Sequence, residues 1–299
     1  MVNILFTGGA GFIGSSIIAK LNKKKYNIYV VDNLLTGKYK NIPSGNRINF
    51  LKIDVNNKKK LIKSTNKLSI QYIFHFAACV GVKRTLKNPH KVLEDIEGFK
   101  NILHLARYKK VKRVFFSSSS EVYGEGQGLA QNEEKTPLNS RLPYAIVKNV
   151  GESFFKTYKK EYNINYTIFR LFNTYGPKQS SDFVVSLFLK NALKDKDINI
   201  YGNGQQSRTF CYIDDTVDAI INCFEKNYFI NSTVNIGNNK VTKIIDLAKI
   251  IKKINKSNSK IKKIKPLKEG DMLRRKPDIK KMKSVLNRKF TSLEKGLYN

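Results

Sequence analysis

Tyr144 and Lys148 stand four residues apart in PYAIVK, residues 143–148, so a helix there turns both side chains to one face. A tyrosine hydroxyl ionises near pH 10 and is no base at neutral pH, with a pKa of about 10. A fixed ammonium beside it, together with any second cationic group bound next to the pair, favours the phenolate. A drop of roughly three units needs about 4 kcal/mol of differential stabilisation, which a partly dry cleft can supply. Ahead of this pair, residues 117–124 read SSSSEVYG, which offers Ser119 and Ser120 as hydroxyls and Glu121 as an acid or base. A Tyr-x-x-x-Lys spacing by itself is also ordinary helix-surface decoration; the serine cluster and a glycine-rich turn far upstream give it chemical sense.

That turn is ILFTGGAGFIG, residues 4–14. An extended run over residues 2–6 meets Gly8, Gly9, Gly11 and Gly14, and an apolar helical pattern begins at Phe12. A side chain at these glycines would hold a phosphate away from the helix N-terminus and its free N–H groups. A dinucleotide pyrophosphate fits there, and an ordinary turn is the other reading of the glycines alone. The second strand, over 28–31, ends at Asp32. A carboxylate in that place accepts hydrogen bonds from the adenosine ribose hydroxyls and repels a 2′-phosphate, which favours NAD over NADP.

Further elements must carry these groups. Residues 46–55 read as a third strand ending at Asp54, which either meets the adenine amino group or simply forms a turn. A fourth strand over 71–76 leads into HFAA, residues 75–78, where Ala77 and Ala78 are small enough for another backbone to lie over a cofactor. His75, inside that strand pattern, reads as a packed core histidine rather than a base. The spacing predicts one long helix over 89–108, a fifth strand over 111–117 and a helix beginning at 142–144. Between the last two lies a polar loop over 125–141, with Gly126, Gln127, Gly128 and Pro137. Strands alternating with helices imply an α/β fold, a Rossmann-type doubly wound parallel sheet with ligands at the C-terminal strand ends. Further on, 182–193 reads as an apolar helix, and 198–201 and 209–213 as strands around the turn Gly202-Asn203-Gly204.

The chain of 299 residues, 41% hydrophobic and 11% aromatic, is long enough for a large core. Its three cysteines, Cys79, Cys211 and Cys223, show no paired spacing and read as buried small hydrophobes in a reducing compartment. No metal site is expected. The N-terminus enters a strand with no signal-peptide pattern, and the longest apolar stretch, 72–82, is too short for a membrane, so a cytoplasmic protein is expected. The net charge of +33 is spread along the chain in lysine runs, which reads as a solvated surface; a polyanion-binding face is the sharper alternative. Nothing in the spacing resembles a nucleic-acid motif.

Across nearly its whole length the sequence resembles the extended short-chain dehydrogenase/reductases that modify nucleotide sugars. The resemblance rests on TGGAGFIG at 7–14, VDNLLTG at 31–37, HFAA at 75–78, SSSSEVYG at 117–124, PYAIVK at 143–148, RLFNTYGP at 170–177 and YGNGQQSRTFCYIDD at 201–215. It implies that Tyr144 removes the proton of the sugar 4-hydroxyl, that Ser119 hydrogen-bonds the same oxygen, and that Lys148 holds the nicotinamide ribose while hydride passes to NAD. By the same likeness, Gly8, Gly11, Phe12, Ile13, Gly14, Asp32, Asn33, Asp54, Val55, Ala77, Ala78 and Phe172 are cofactor contacts. Asn173 and Arg208 resemble diphosphate contacts, Tyr201 is placed to stack on the base, and Lys83 joins the substrate set. Arg275, in RRKPDIKK at 274–281, resembles a phosphate-binding arginine or is one more exposed cation.

The resemblance also divides the chain into an NAD-binding domain over 1–173, with a returning segment near 206–237, and an interleaved nucleotide-sugar lobe over 174–299. It suggests a homodimer through the helices starting near Pro89 and Leu142. Ser120-Glu121 before Val-Tyr-Gly resembles UDP-glucuronate decarboxylases and some 4,6-dehydratases, in which a carboxyl group serves as acid or base after C4 is oxidised. A UDP-hexose or UDP-uronate 4-epimerase is the alternative, and a binding module without turnover is an alternative of another class. The chain departs from the family where relatives carry Asn and Thr in an N-x-x-G-T stretch, with Asp95 and Phe99 around Gly98, and it stops at Asn299 where relatives continue into an amphipathic helix.

Overall fold

The computed structural model describes residues 1–125, 129–266 and 274–299, and within them the side chains of all but Val82, Lys83 and Leu86. Gly126, Gln127 and Gly128 of the expected loop, and the side chain of Lys83, therefore lie outside the described residues. The first half alternates as the sequence predicts: β1 (Val2–Thr7), α1 (Phe12–Asn22), β2 (Tyr26–Asp32), β3 (Ile48–Lys52), α2 (Lys58–Thr65), β4 (Tyr72–His75), α3 (Val82–Lys87), α4 (Pro89–Leu93), α5 (Asp95–Tyr108), β5 (Arg113–Ser119), α6 (Pro143–Tyr162) and β6 (Tyr166–Leu171). The second half adds β7 (Thr174–Tyr175), α7 (Val184–Ala192), β8 (Ile198–Tyr201), β9 (Ser207–Thr209), β10 (Cys211–Tyr212), α8 (Ile213–Glu225), β11 (Ser232–Ile236), β12 (Val241–Lys243), α9 (Ile244–Ile254), β13 (Ile261–Ile264), α10 (Lys280–Leu286) and α11 (Leu293–Tyr298).

Seven strands form one parallel sheet in the order β11-β6-β5-β4-β1-β2-β3. Both faces are covered, and for that reason the strands are near-continuous apolar runs rather than alternating ones. Ile4 and Phe6 of β1 face α1 and α8, while Leu5 between them faces the layer of α5 and α6. On the first face Phe6, Phe74, Phe115 and Phe169, one from each of four neighbouring strands, stack at centroid distances of 5.2, 4.4 and 6.1 Å. On the other, Phe116 stacks on Phe155 at 4.6 Å, and Phe99 meets Phe116 edge-on at 5.3 Å.

Several expected boundaries move, each for a local reason. The helix expected over 89–108 is broken into α4 and α5 at Glu94, where the Glu97 N–H bonds the Glu94 carbonyl in a tighter three-residue turn. This break turns Asp95 inward. The fifth strand starts later and ends later than 111–117, because Val111 is tied to Ala106 while Ser118 and Ser119 still pair with Arg170 and Leu171. The strand expected over 209–213 is two: β9 pairs antiparallel with β12, β10 parallel with β7, and Ile213 already opens α8, whose first turn carries Asp214 and Asp215. The third strand, the fourth strand and the helix expected over 182–193 are each shorter than the apolar runs suggested. SLEKGLYN at 292–299 holds α11, with Leu293 and Leu297 buried. Among the described residues no helix is long and apolar enough to cross a membrane.

Candidate active site

Where β1 ends, the chain turns back through Gly8, whose φ of +73° favours glycine. A β-carbon on Gly8 would stand 2.5 Å from the Ala77 nitrogen, and one on Gly14 would stand 2.4 Å from the Gly8 carbonyl. Side chains there are excluded by backbone, so loop, helix and the end of β4 close on one another directly. Gly11 precedes α1 without a side-chain cap, which leaves the first-turn N–H groups open to an anion. At the end of β2, Asp32 accepts the Ala10 N–H at 2.9 Å and the Leu34 N–H at 2.8 Å. Burial pushes its carboxyl up and these two bonds oppose the shift. Asp54 forms the turn, accepting the Asn56 N–H at 2.9 Å, and it also accepts from Asn33 Nδ2 at 3.0 Å on the cleft wall.

A cleft of about 660 Å³ runs over these strand ends, large enough for an organic cofactor. It brings together all the expected cofactor residues, from Gly8, Gly11, Phe12, Ile13 and Gly14 through Asp32, Asn33, Asp54 and Val55 to Ala77, Ala78 and Phe172. Ser119, Ser120, Glu121, Tyr144, Lys148, Asn173 and Arg275 line the same cleft. Tyr201 and Arg208 do not line it: Tyr201 pairs with Ile264 at the end of β8, and Arg208 sits on β9 opposite Thr242. A glycine cradle, an open helix N-terminus and an acidic residue ending the second strand fit a dinucleotide without a 2′-phosphate.

Tyr144 and Lys148 share a face of α6 one turn apart, with the Lys148 nitrogen 5.9 Å from the tyrosine ring centroid. Lys148 is 2% exposed, donates to the Ser117 carbonyl at 2.8 Å and lies 5.0 Å from the Phe116 ring centroid. Burial lowers its ammonium to about 8, against the pull of Asp95 and Glu152. The expected depression of the Tyr144 phenol needs Lys148 and a cationic nicotinamide together; in the chain alone burial prevails. Burial pushes that phenol above its ordinary value, the charges of Glu121 and Asp95 push it further, and a hydrogen bond with Ser119 works against them.

Ser119 Oγ accepts the Glu121 N–H at 3.2 Å and so caps the short turn over Ser120–Tyr123. Arg275, 5% exposed, is not a surface cation. Its Nη1 donates to Glu121 Oε1 at 2.8 Å and to Ser120 Oγ at 3.3 Å. Glu121 Oε2 is buried with no hydrogen-bond partner among the described residues. Asn173 Nδ2 donates to the Thr209 carbonyl at 3.3 Å. His75 is a core residue: Nδ1 meets Thr7 Oγ1 at 2.7 Å, and burial drops its pKa to about 3, with Lys148 adding to the fall. The three cysteines are buried and free, and no cluster with metal-ligand geometry exists among the described residues.

Sequence reasoning missed the group beneath the site. Glu152 accepts from Arg170 at 2.9 and 2.7 Å and from Ser118 at 2.6 Å, Arg170 also reaches the Tyr123 hydroxyl at 2.9 Å, and that hydroxyl donates to Asn235 at 2.7 Å. The signal was present in the four-residue spacing of 144, 148 and 152, which continues one helix face inward.

Residues 4–237 match the model of the NAD dependent epimerase/dehydratase family. The chain is 36% identical to a putative UDP-glucose 4-epimerase of Methanocaldococcus jannaschii, over 98% of this chain and 95% of that protein. It is 33% identical to UDP-glucuronic acid decarboxylase 1 of Xenopus tropicalis, over 98% of this chain and 70% of that one. Its fold matches the crystal structure of Thermotoga maritima UDP-glucose 4-epimerase with UDP-glucose at a TM-score of 0.93 and 31% identity, covering 99% and 96% of the two chains. With the family model matching most of its length and a relative this similar over nearly all of it, the chain belongs to the NAD-dependent epimerase/dehydratase family.

Proposed function

We propose that this enzyme oxidises C4 of a UDP-linked uronate and then releases the C6 carboxylate as carbon dioxide, a nucleotide-sugar decarboxylase. The observation that carries the reading is the Arg275–Glu121 pair beside Ser120, on the same cleft wall as Ser119 and Tyr144. A guanidinium there can orient a carboxylate, and a carboxyl group there can deliver a proton. Dehydration would instead need a base for C5 and an acid for the departing C6 oxygen, and gives a cation no evident work.

NAD, when bound, supplies the acceptor for the C4 hydride and gives it back at the end. Tyr144 takes the proton of the 4-hydroxyl while Ser119 holds the same oxygen. With a ketone at C4 the C6 carboxylate is that of a β-keto acid. The C5–C6 bond breaks, its electrons pass to the C4 oxygen, and Tyr144 and Ser119 stabilise the charge that gathers there. C5 takes up a proton that comes from water and is relayed by the Glu121 carboxyl, and Tyr144 returns its own proton to the C4 oxygen when the ketone is reduced again. Lys148 orients the cofactor ribose, and Asn173 and Arg275 contact the substrate. The reading includes a homodimer through the helices starting near Pro89 and Leu142, namely α4, α5 and α6, which carry the exposed Leu93, Ile146 and Tyr162.

NAD-loaded protein incubated with UDP-glucuronate should give a UDP-sugar lighter by one carbon dioxide in the mass spectrum. Tyr144→Phe should lower the rate about 10²–10⁴-fold while leaving the fold intact by circular dichroism. A product of unchanged mass but altered chromatographic mobility, from UDP-glucuronate or UDP-glucose, would replace decarboxylation by 4-epimerisation, an activity that some of the relatives' names carry. Loss of water from UDP-glucose would replace it by dehydration.

A further inference from the structure

Asp95 opens α5 at the break after Glu94, and its Oδ2 accepts the Cys79 N–H at 2.8 Å. The side chain lines the cleft with Tyr144 and Lys148. One helical turn on, Phe99 lies under Lys148, 6.0 Å from the ammonium to the ring centroid, so the face of α5 that begins with Asp95 is turned towards the pair. Other carboxylates act on one member only: Glu121 on Tyr144 from the end of β5, and Glu152 on Lys148 from α6. Asp95 acts on both.

We propose that Asp95 is a positioning residue that sets the pH window in which the Tyr144–Lys148 pair works. The proposal rests on Tyr144 being the base. A negative charge beside the pair makes the phenol harder to ionise and the ammonium harder to lose, so both limbs of the pH profile stand higher than they would without it. The charge is itself adjustable. Burial lifts the Asp95 carboxyl to about 6, with Asp54 and Glu94 pushing the same way, while the Lys148 ammonium and the Cys79 N–H hold it down. Other ionisable groups close by are the Cys79 thiol, raised by burial, the Arg84 and Lys91 cations that act on that thiol, and His75, whose pKa burial holds at about 3. As pH falls through about 6, Asp95 takes up a proton, the phenol becomes easier to ionise, and activity declines more gently than a lone tyrosine would dictate.

The test is Asp95→Asn, which keeps an oxygen for the Cys79 N–H and removes the charge. In NAD-loaded protein, the tyrosinate absorbance of Tyr144, taken as the difference from Tyr144→Phe, should titrate about one pH unit lower than in the parent. The same titration without NAD should move the same way. Both limbs of kcat/KM with UDP-glucuronate should follow, and the acid limb should steepen. A shift below about a quarter of a unit, smaller than any close charge produces, overturns the proposal. Turnover surviving in Tyr144→Phe would overturn the base assignment instead, and the two failures are read separately. Should Asp95→Asn fail to fold, carbon NMR of the parent gives the answer: the Asp95 carboxyl should titrate near 6 and rise in Lys148→Met, and an unmoved signal overturns the proposal.

Discussion

Replacing Glu152 by glutamine tests whether α6 is fixed to the sheet by charge or merely by shape. Glu152 is fully buried, and Arg170 opposite it is 2% exposed. The substitution keeps nearly the same volume, but leaves the guanidinium only the glutamine carbonyl oxygen, the Tyr123 hydroxyl and the Glu133 carbonyl as acceptors. All are neutral. Removing one partner of a buried pair costs about 3–5 kcal/mol, because the other charge stays in a dry place uncompensated. Against a whole-domain stability of about 5–15 kcal/mol this is a large share. At roughly 2–4 °C per kcal/mol for a chain of this size class, the midpoint should fall by about 6–20 °C. Urea titration should show a lower midpoint with an unchanged slope. Glu152→Gln with Arg170→Met, which removes both charges, should recover most of the loss. A single variant within about 1 kcal/mol of the parent would show that shape alone does the fixing, since a surface pair is worth no more than that.

Gly14→Ala should abolish NAD retention and lower stability, because its methyl would stand 2.4 Å from the Gly8 carbonyl and force α1 off the loop; cofactor absorbance after gel filtration measures it. His75 gives acid sensitivity of definite sign. Its folded pKa, about 3, lies below the ordinary value of about 6.5, so below pH 6.5 the unfolded chain binds a proton that the native one refuses. Stability is therefore lost on acidification, by about 2 kcal/mol between pH 7 and pH 5 from this residue alone. The difference between parent and His75→Gln in urea midpoint across that range should show this slope, and parallel curves would refute it.

Much of this was legible because backbone chemistry leaves local marks. Glycines at 8, 11 and 14, an acidic residue at 32 and the Tyr144–Lys148 spacing are each short-range patterns, and the cleft contains all of them. What was not legible is set at a distance. Arg275 is more than 150 residues from Glu121, and only folding turns one basic residue among fifty-six lysines and arginines into a buried partner. The break at Glu94 was hidden because apolar spacing runs through it unchanged, while the Asp95 carboxylate beyond it is held by the distant Cys79 N–H. Tyr144 shows a different limit: spacing places an ammonium beside a phenol, but burial decides which way the phenol's proton goes.

Arg113, at the start of β5, is 2% exposed and donates to Thr167 Oγ1 and to the carbonyls of Cys223 and Tyr228. Desolvation draws its guanidinium down to about 10, and every partner among the described residues is neutral. Two of the carbonyls that receive it lie 110 and 115 residues further along the chain, so this cation can shed its water only where the early and late strands are already side by side. A single buried guanidinium thus stitches the two halves of the chain into one folding unit.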